Sequence, residues 1–345
     1  MPNATLTAAI DKVAAGTDLS ADEAAQVLGQ IMADEASEIE IAGFLMALRA
    51  KGETVDEVAG LARTMRELAT PVDTGRDDLL DTAGTGGGRS TFNVSTTAAL
   101  IAAGAGCAVA KHGNRSATSR CGSADLLEAL GARIDLPPDA VAECVRDVGF
   151  GFMFAPVHHR ATRFVVPVRK ELAVRTIFNI LGPLTNPAGA TRQLVGVADP
   201  AFLDTIAGAL VQLGAERALV VSSDDGLDEM STGGRTQVVE VSGQRIERYG
   251  VEPGDVGLET ASLDAFAGGT PDENAATTRA ILAGEAGPRR DLAVLNAGAA
   301  IYACGRADSL EAGARSAEAA IDDGAAAAAL ERFVARTGEL APAAS

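Results

Sequence analysis

Two hydrophobic periodicities divide the chain. Through the first 70 residues apolar positions recur every three to four residues without any alternating run, which predicts short helices and no strand. Ser20 with Glu23, and Thr54 with Glu57, have the spacing of capping boxes, in which a hydroxyl and a carboxylate three residues apart satisfy the free N–H groups of a first turn. Gly52 follows IEIAGFLMALRAK, where a helix-ending glycine is expected. Residues 71–78 read as a linker. From Leu79 onward, short apolar runs alternate with helical stretches. Candidate strands are 79–83, 107–110, 150–154, 194–198, 218–222 and 238–241. Strands separated by helices are the signature of βα units and a largely parallel sheet. Residues 160–181, RATRFVVPVRKELAVRTIFNIL, form a helical insertion with no strand signal, and the Ala-rich tail at 307–337 reads as one or two amphipathic helices. The expected fold class is therefore α/β, with a small all-helical unit at 1–70 joined by an insertion near 160–190. The larger unit, 71–159 and 191–345, carries a mostly parallel central sheet.

Composition narrows the function classes. At 345 residues and 47% apolar content the chain is long enough for a large core and too apolar for disorder. Its longest apolar stretches, such as 98–103, fall far short of the roughly 20 residues that a membrane span needs. The start, MPNATLTAAIDK, has neither the basic opening nor the apolar run of a signal peptide, so a cytoplasmic location is expected. Four scattered cysteines, Cys107, Cys121, Cys144 and Cys304, match no metal-ligand spacing and read as reduced thiols. A net charge of −18 argues against a nucleic-acid partner, which calls for a basic face. It leaves a phosphorylated small molecule open, because clustered backbone N–H groups and a few cations bind phosphate inside an acidic protein. With only four lysines, at 12, 51, 111 and 170, any lysine beside such a cluster is informative.

The cluster is present. GTGGGRSTFNVST, Gly84 to Thr96, follows a candidate strand and runs into a helix. Glycines let the backbone approach an anion, and Asn93, Ser95 and Thr96 fall at the helix N-terminus, where free N–H groups and hydroxyls favour phosphate. The spacing is neither the dinucleotide fingerprint nor the P-loop. KHGNRSATS, Lys111 to Ser119, follows a second short strand and supplies two cations and several hydroxyls for a second lobe. Gly122 and Ser123 then open an amphipathic helix, with Ser123 the expected cap and Gly131 the stop. Asp224, Asp225 and Gly226 read as a turn after a strand, with carboxylates continuing at Asp228 and Glu229. Acidic groups just past a strand's carboxyl end are placed to ligate magnesium on a phosphate.

Taken together and in order, GTGG…TFNVST, KHGNRSATS…GSADLLEALG and RTIFNILGPLTNPA resemble the anthranilate phosphoribosyltransferases, over nearly the whole chain. The resemblance implies a nucleoside phosphorylase/phosphoribosyltransferase-like fold, a homodimer formed through the helical unit, and use of Mg2+. It implies transfer of phosphoribosyl from phosphoribosyl pyrophosphate to anthranilate, the second step of tryptophan biosynthesis from chorismate. Phosphoribosyl pyrophosphate would be held by Gly84, Gly87, Thr91, Asn93, Ser95 and Thr96, with Gly88 and Val94 beside them. The second lobe would add Lys111, His112, Gly113, Asn114, Arg115, Ser116, Ser119 and Ser123. Anthranilate would meet Gly84, Asn114, His159, Arg169, Gly182 and Pro183, with the Arg169 guanidinium suited to pairing the substrate carboxylate bidentately. Ser95, Asp228 and Glu229 would hold the metal ion. No residue is expected to act as an essential general base, because an aromatic amine attacks as the neutral base.

One position departs from the family's pattern, which commonly reads G-T-G-G-D. Here the acidic position is Gly88, and the loop to Asn93 is one residue shorter. Arg89 is the candidate to compensate. Pyrimidine nucleoside phosphorylases, which share the fold and a glycine-rich phosphate loop, are the nearest alternative. They run longer and offer no match to RTIFNILGPLTNP. A catalytically silent, nucleic-acid-binding relative is the alternative from another class; the acidic balance and the Asp228–Glu229 pair count against it.

Overall fold

The computed structural model describes residues 2–116 and 120–341. Four helices open the chain: α1 (Ala4–Ala14), α2 (Ala21–Met32), α3 (Glu38–Lys51) and α4 (Val55–Glu67). Both expected capping boxes form: Ser20 and Glu23 start α2, and Thr54 and Glu57 start α4. A third, Ser37 with Glu40, starts α3. Gly52 ends that helix at φ +92°, a backbone state that a side chain would strain.

The second part alternates as expected: β1 (Leu79–Gly84), α5 (Val94–Gly104), β2 (Ala108–Gly113), α6 (Ser123–Ala129), α7 (Pro138–Val148) and β3 (Phe150–Phe154). The insertion is helical but broken, into α8 (Ala155–His158), a 3-10 turn over Arg160–Phe164, α9 (Val166–Leu172) and α10 (Phe178–Leu181). Ala173 interrupts it in the left-handed region at φ +50°. There follow β4 (Arg192–Gly196), α11 (Leu203–Gln212), β5 (Arg217–Ser223), β6 (Thr236–Ser242) and β7 (Arg245–Val251). Four helices close the described chain: α12 (Pro271–Leu282), α13 (Pro288–Ala303), α14 (Leu310–Asp322) and α15 (Ala325–Leu340).

The seven strands form one sheet in the order β3-β2-β1-β4-β5-β6-β7. The first five run parallel, and β6 and β7 add on as antiparallel hairpins. The sequence pattern overlooks β7. RIERYGV is largely exposed, so it has none of the apolar bias by which a buried strand is recognised. One hydrophobic cluster packs α5–α7 and α12–α15 on one face of the sheet. The other joins α1–α4, the insertion and α11 to the opposite face. Ile41, Leu45 and Leu48 on α3 belong to this second core, each about 1% exposed. No helix among the described residues is long and apolar enough to cross a membrane. All four cysteines are buried, and none is in a disulfide among the described residues.

From β1 the chain moves outward to β2 and β3, then returns to the other side of β1 as β4. The strand order therefore reverses beside β1. Crevices outside the carboxyl ends of parallel strands at such a reversal are where α/β sheets bind ligands.

Candidate active site

The glycine turn leaves β1 at that crevice. Gly86 and Gly87 take φ of +67° and +86°, and Thr85 N–H bonds the Gly196 carbonyl at the end of β4. The turn leads into α5, with Asn93 at its N-cap position. The Asn93 side chain caps no helix N–H. Its amide donates to the Cys121 carbonyl at 3.0 Å, and its oxygen accepts from Asn274 Nδ2 on α12 at 2.8 Å. Asn274 in turn accepts from Gly269 N–H at 2.7 Å. The loops carrying Asn93, Cys121 and Gly269 are thus tied together at the N-terminus of α5. Nothing local in the sequence singles out Asn274.

Asp228 and Glu229, from the loop after β5, close over the turn. A Cβ built at Gly84 would stand 3.2 Å from Asp228 Oδ2, and one at Gly196 only 1.7 Å from the Asp228 carbonyl oxygen. At Gly88 it would stand 2.4 Å from Asp228 Oδ1 and 2.8 Å from its backbone N. Asp228 therefore fills the space that a side chain at position 88 would need. Both carboxyls are pushed up by burial, and Glu229 reaches about 8, with the neighbouring Asp228 charge as the second cause. Glu229 also accepts from the Ser95 N–H at the start of α5, which favours its charged form. Two crowded, desolvated carboxylates gain from a shared cation. No group of three or more acidic, His or Cys side chains arranged for a metal occurs among the described residues. Mg2+ fits such a place, since it is commonly held by one or two carboxylates plus substrate phosphates.

Asp225, by contrast, organises the preceding turn. It accepts from Ser223 Oγ, from Ser231 Oγ at 2.6 Å and from Leu227 N–H at 3.3 Å, and Gly226 has φ +88°. Asp224 accepts from Gln237 at 2.9 Å.

The second lobe is laid out differently from its sequence outline. Lys111 on β2 is 1% exposed, and its ammonium donates to the Thr82 carbonyl and, at 3.2 Å, to its hydroxyl. Ser95 Oγ lies 3.5 Å away. Burial lowers the Lys111 pKa, and the charges of Asp81 and Glu229 oppose that shift. Lys111 thus sits beneath the glycine turn as an internal counter-charge. Arg115 points away, paired with Asp125 at 2.8 Å and Glu128 at 2.5 Å. Asp125 also accepts from Gly122 N–H at 2.8 Å and Ser116 N–H at 3.3 Å. The cap of α6 is consequently Gly122, not Ser123, whose hydroxyl instead donates to the Asn114 carbonyl at 3.1 Å. Ser119 lies outside the described residues. Arg89 is exposed and rests against Gly226.

The remaining candidates meet across β2 and the insertion. His112 Nδ1 lies 3.2 Å from the Gly182 carbonyl, which can only accept, so the proton is on Nδ1. Its Nε2 is buried without a partner among the described residues, as are those of His158 and His159, and the His112 and His159 rings stand 5.0 Å apart. Burial drives the His112 pKa down to about 3 and that of His159 to about 4. His158 instead hydrogen-bonds the Thr70 carbonyl at 3.1 Å. Arg169 is half-buried over the Phe178 ring at 5.5 Å, with Asn179 Oδ1 at 3.4 Å and no carboxylate beside it among the described residues. Pro183 is buried, and its carbonyl accepts from Gln193 at 2.8 Å.

A helical unit set against a mostly parallel sheet is the two-part architecture of the glycosyl transferase family whose models this chain matches. Residues 7–69 match the glycosyl transferase family, helical bundle domain, and residues 76–327 its a/b domain. The anthranilate phosphoribosyltransferase of Moorella thermoacetica is 54% identical over 331 residues, 96% of this chain and 98% of that one. The crystal structure of the Thermus thermophilus anthranilate phosphoribosyltransferase superposes with a TM-score of 0.91 at 49% identity, covering 96% of this chain and 99% of that one. The Saccharomyces cerevisiae enzyme in complex with PRPP and Mg gives a TM-score of 0.89 at 29% identity, covering 98% and 99%. The chain belongs to the anthranilate phosphoribosyltransferase family.

Proposed function

We propose that this protein transfers the 5-phosphoribosyl group from phosphoribosyl pyrophosphate to the amine of anthranilate, releasing pyrophosphate, as the second step of tryptophan biosynthesis from chorismate. The observation that carries this reading is Arg169, a half-buried guanidinium without a carboxylate partner among the described residues, on the helical insertion whose Gly182 carbonyl meets His112, with the His159 ring 5.0 Å from that of His112. A planar fork suits an aromatic carboxylate, and His159, Gly182 and Pro183 would complete the anthranilate pocket. The sugar donor would lie along Gly84–Gly88 and the start of α5, where backbone N–H groups receive its phosphates.

Asp228 and Glu229, with the Ser95 hydroxyl, would hold Mg2+, which when bound neutralises charge gathering on the departing pyrophosphate. The bond from ribose C1 to the pyrophosphate oxygen breaks with its electrons going to pyrophosphate, the amine lone pair forms the new bond to C1, and the nitrogen then loses one of its protons to solvent. The protein's task is to hold donor and amine in line and to exclude water, so positioning supplies much of the rate. No side chain is assigned as an essential base.

Residues 1–70 with the segment near 160–190 form the helical unit in this reading, and 71–159 with 191–345 the phosphoribosyl-binding unit. The location is cytoplasmic and the assembly a homodimer. Ile39, Met46, Val166 and Val174 support a dimer formed through the helical unit, as exposed apolar side chains on or beside α3 and α9. Light scattering at micromolar concentration should give twice the chain mass; a monomer would refute this part. The reaction is tested by following the loss of anthranilate fluorescence with phosphoribosyl pyrophosphate and magnesium. No loss with purified protein, under conditions where a known relative works, would overturn the assignment.

A further inference from the structure

RTIFNILGP holds one cation, Arg175, to which the reading above gives no role. Arg175 stands between α9 and α10, where the helical insertion turns back toward the sheet. Its Nη2 donates to the Gly87 carbonyl at 2.5 Å, across 88 residues of sequence. A Cβ built at Gly87 would stand 1.9 Å from Nη2 and 2.6 Å from Cζ of this guanidinium. The φ of +86° requires glycine at position 87, and the arginine lies directly against it. The Arg175 carbonyl accepts from Arg49 on α3 at 2.9 Å, which anchors the segment to the helical unit. Arg175 is otherwise exposed; its charge favours the ionised form of Asp228, and it makes no salt bridge among the described residues.

Two other cations near the turn are committed elsewhere: Lys111 is buried beneath it on Thr82, and Arg115 is paired with Asp125 and Glu128. Arg89 is exposed, with its side chain near Gly226 rather than against Gly87. A protein of net charge −18, with two carboxylates over the turn, needs at least one accessible cation there to hold a strongly anionic ligand.

We propose that Arg175 is a binding residue for the pyrophosphate of the sugar donor, supplied to the glycine turn by the helical insertion. A guanidinium carries five N–H donors in a rigid plane, so one bond to Gly87 leaves four for phosphate oxygens. Because the segment is anchored to α3, this grip also joins the helical unit to the turn when the donor is bound. The inference rests on the reading that the crevice takes phosphoribosyl pyrophosphate.

Binding of inorganic pyrophosphate with magnesium, measured by calorimetry on the full chain, separates the two. The expected result is a measurable affinity in the unaltered protein, weaker by about ten- to a hundred-fold in Arg175→Ala. Arg175→Lys should fall between them, because a point charge replaces the fork. The KM for anthranilate at saturating donor should stay unchanged in both. Absence of pyrophosphate binding by the unaltered protein would overturn the functional reading itself. Equal pyrophosphate affinity in the unaltered protein and Arg175→Ala would overturn this inference alone. Parallel losses for pyrophosphate and anthranilate, with no recovery in Arg175→Lys, would reduce Arg175 to a prop for the turn and overturn it too. Should Arg175→Ala fail to fold, Arg175→Lys decides: affinity equal to the unaltered protein's refutes the fork.

Discussion

Gly88 shows how a single residue's chemistry depends on its neighbour across the crevice. The acidic side chain that the family pattern leads one to expect has no room, because Asp228 Oδ1 already occupies the direction in which it would grow. The carboxylate charge at the turn is thus delivered from the β5 loop. Arg89, the next residue, is exposed with its side chain near Gly226. Arg169 is the residue whose role is sharpest to test. Replacing it by alanine removes a charge-assisted pair that contributes roughly 1.5–3 kcal/mol. Anthranilate affinity should fall about ten- to a hundred-fold while affinity for phosphoribosyl pyrophosphate holds. Calorimetry with each ligand checks this, and equal losses for both would assign Arg169 a structural role.

Among the elements, the end of β4 sets where the acidic loop lies. Gly196 allows the Asp228 backbone to pass so close that a methyl group there would stand 1.7 Å from a carbonyl oxygen. A backbone atom yields far less readily than a side-chain tip, so Gly196→Ala should push the 228–229 segment off its seat. The expected outcome is a rise of about tenfold or more in the magnesium needed for half-maximal rate, equivalent to only about 1.4 kcal/mol. The KM for anthranilate should change little. A magnesium titration that superposes on that of the unaltered protein would mean that the carboxylates do not hold the ion. The N-terminus of α5 is held in a comparable way, by Asn274 from α12 through Asn93.

For the molecule as a whole, buried histidines set a cost at acid pH. His112 and His159 have pKa values held near 3 and 4 by burial, against 6.5 for the free side chain. Above pH 6.5 both are neutral folded or unfolded, so their contribution is complete there. Below it the unfolded chain gains protons that the folded chain refuses, and stability declines as pH falls toward the folded values. Glu229, raised to about 8, acts in the opposite sense between its free value of 4.5 and 8, so one variant must isolate the histidine effect. Between pH 7 and 5 the unaltered protein should lose about 2 kcal/mol more unfolding free energy than His112→Gln, at 1.36 kcal/mol per pH unit below 6.5. Denaturant melts at the two pH values check this; identical slopes would show that His112 is not held neutral.

The local features were legible from the chain alone. Capping boxes at α2 and α4, the approximate position of six strands and the glycine turn before α5 each depend on residues a few positions apart. Their backbone consequences follow directly from spacing, φ restrictions and apolar periodicity. The family resemblance rested on the same short motifs. What the chain order could not convey is which charged groups remain available once distant segments meet. Lys111 looks like a loop cation until β2 pairs beside β1 and its ammonium is drawn under Thr82. Arg115 looks like its partner until α6 turns Asp125 and Glu128 toward it. Arg175, unremarked within RTIFNILGP, becomes the cation on the glycine turn, and β7 goes unnoticed because an exposed edge strand needs no apolar pattern. Side-chain chemistry and local spacing are written into the sequence. Availability is set by burial and by partners far away along the chain, and only the packed sheet with its two covering layers decides those.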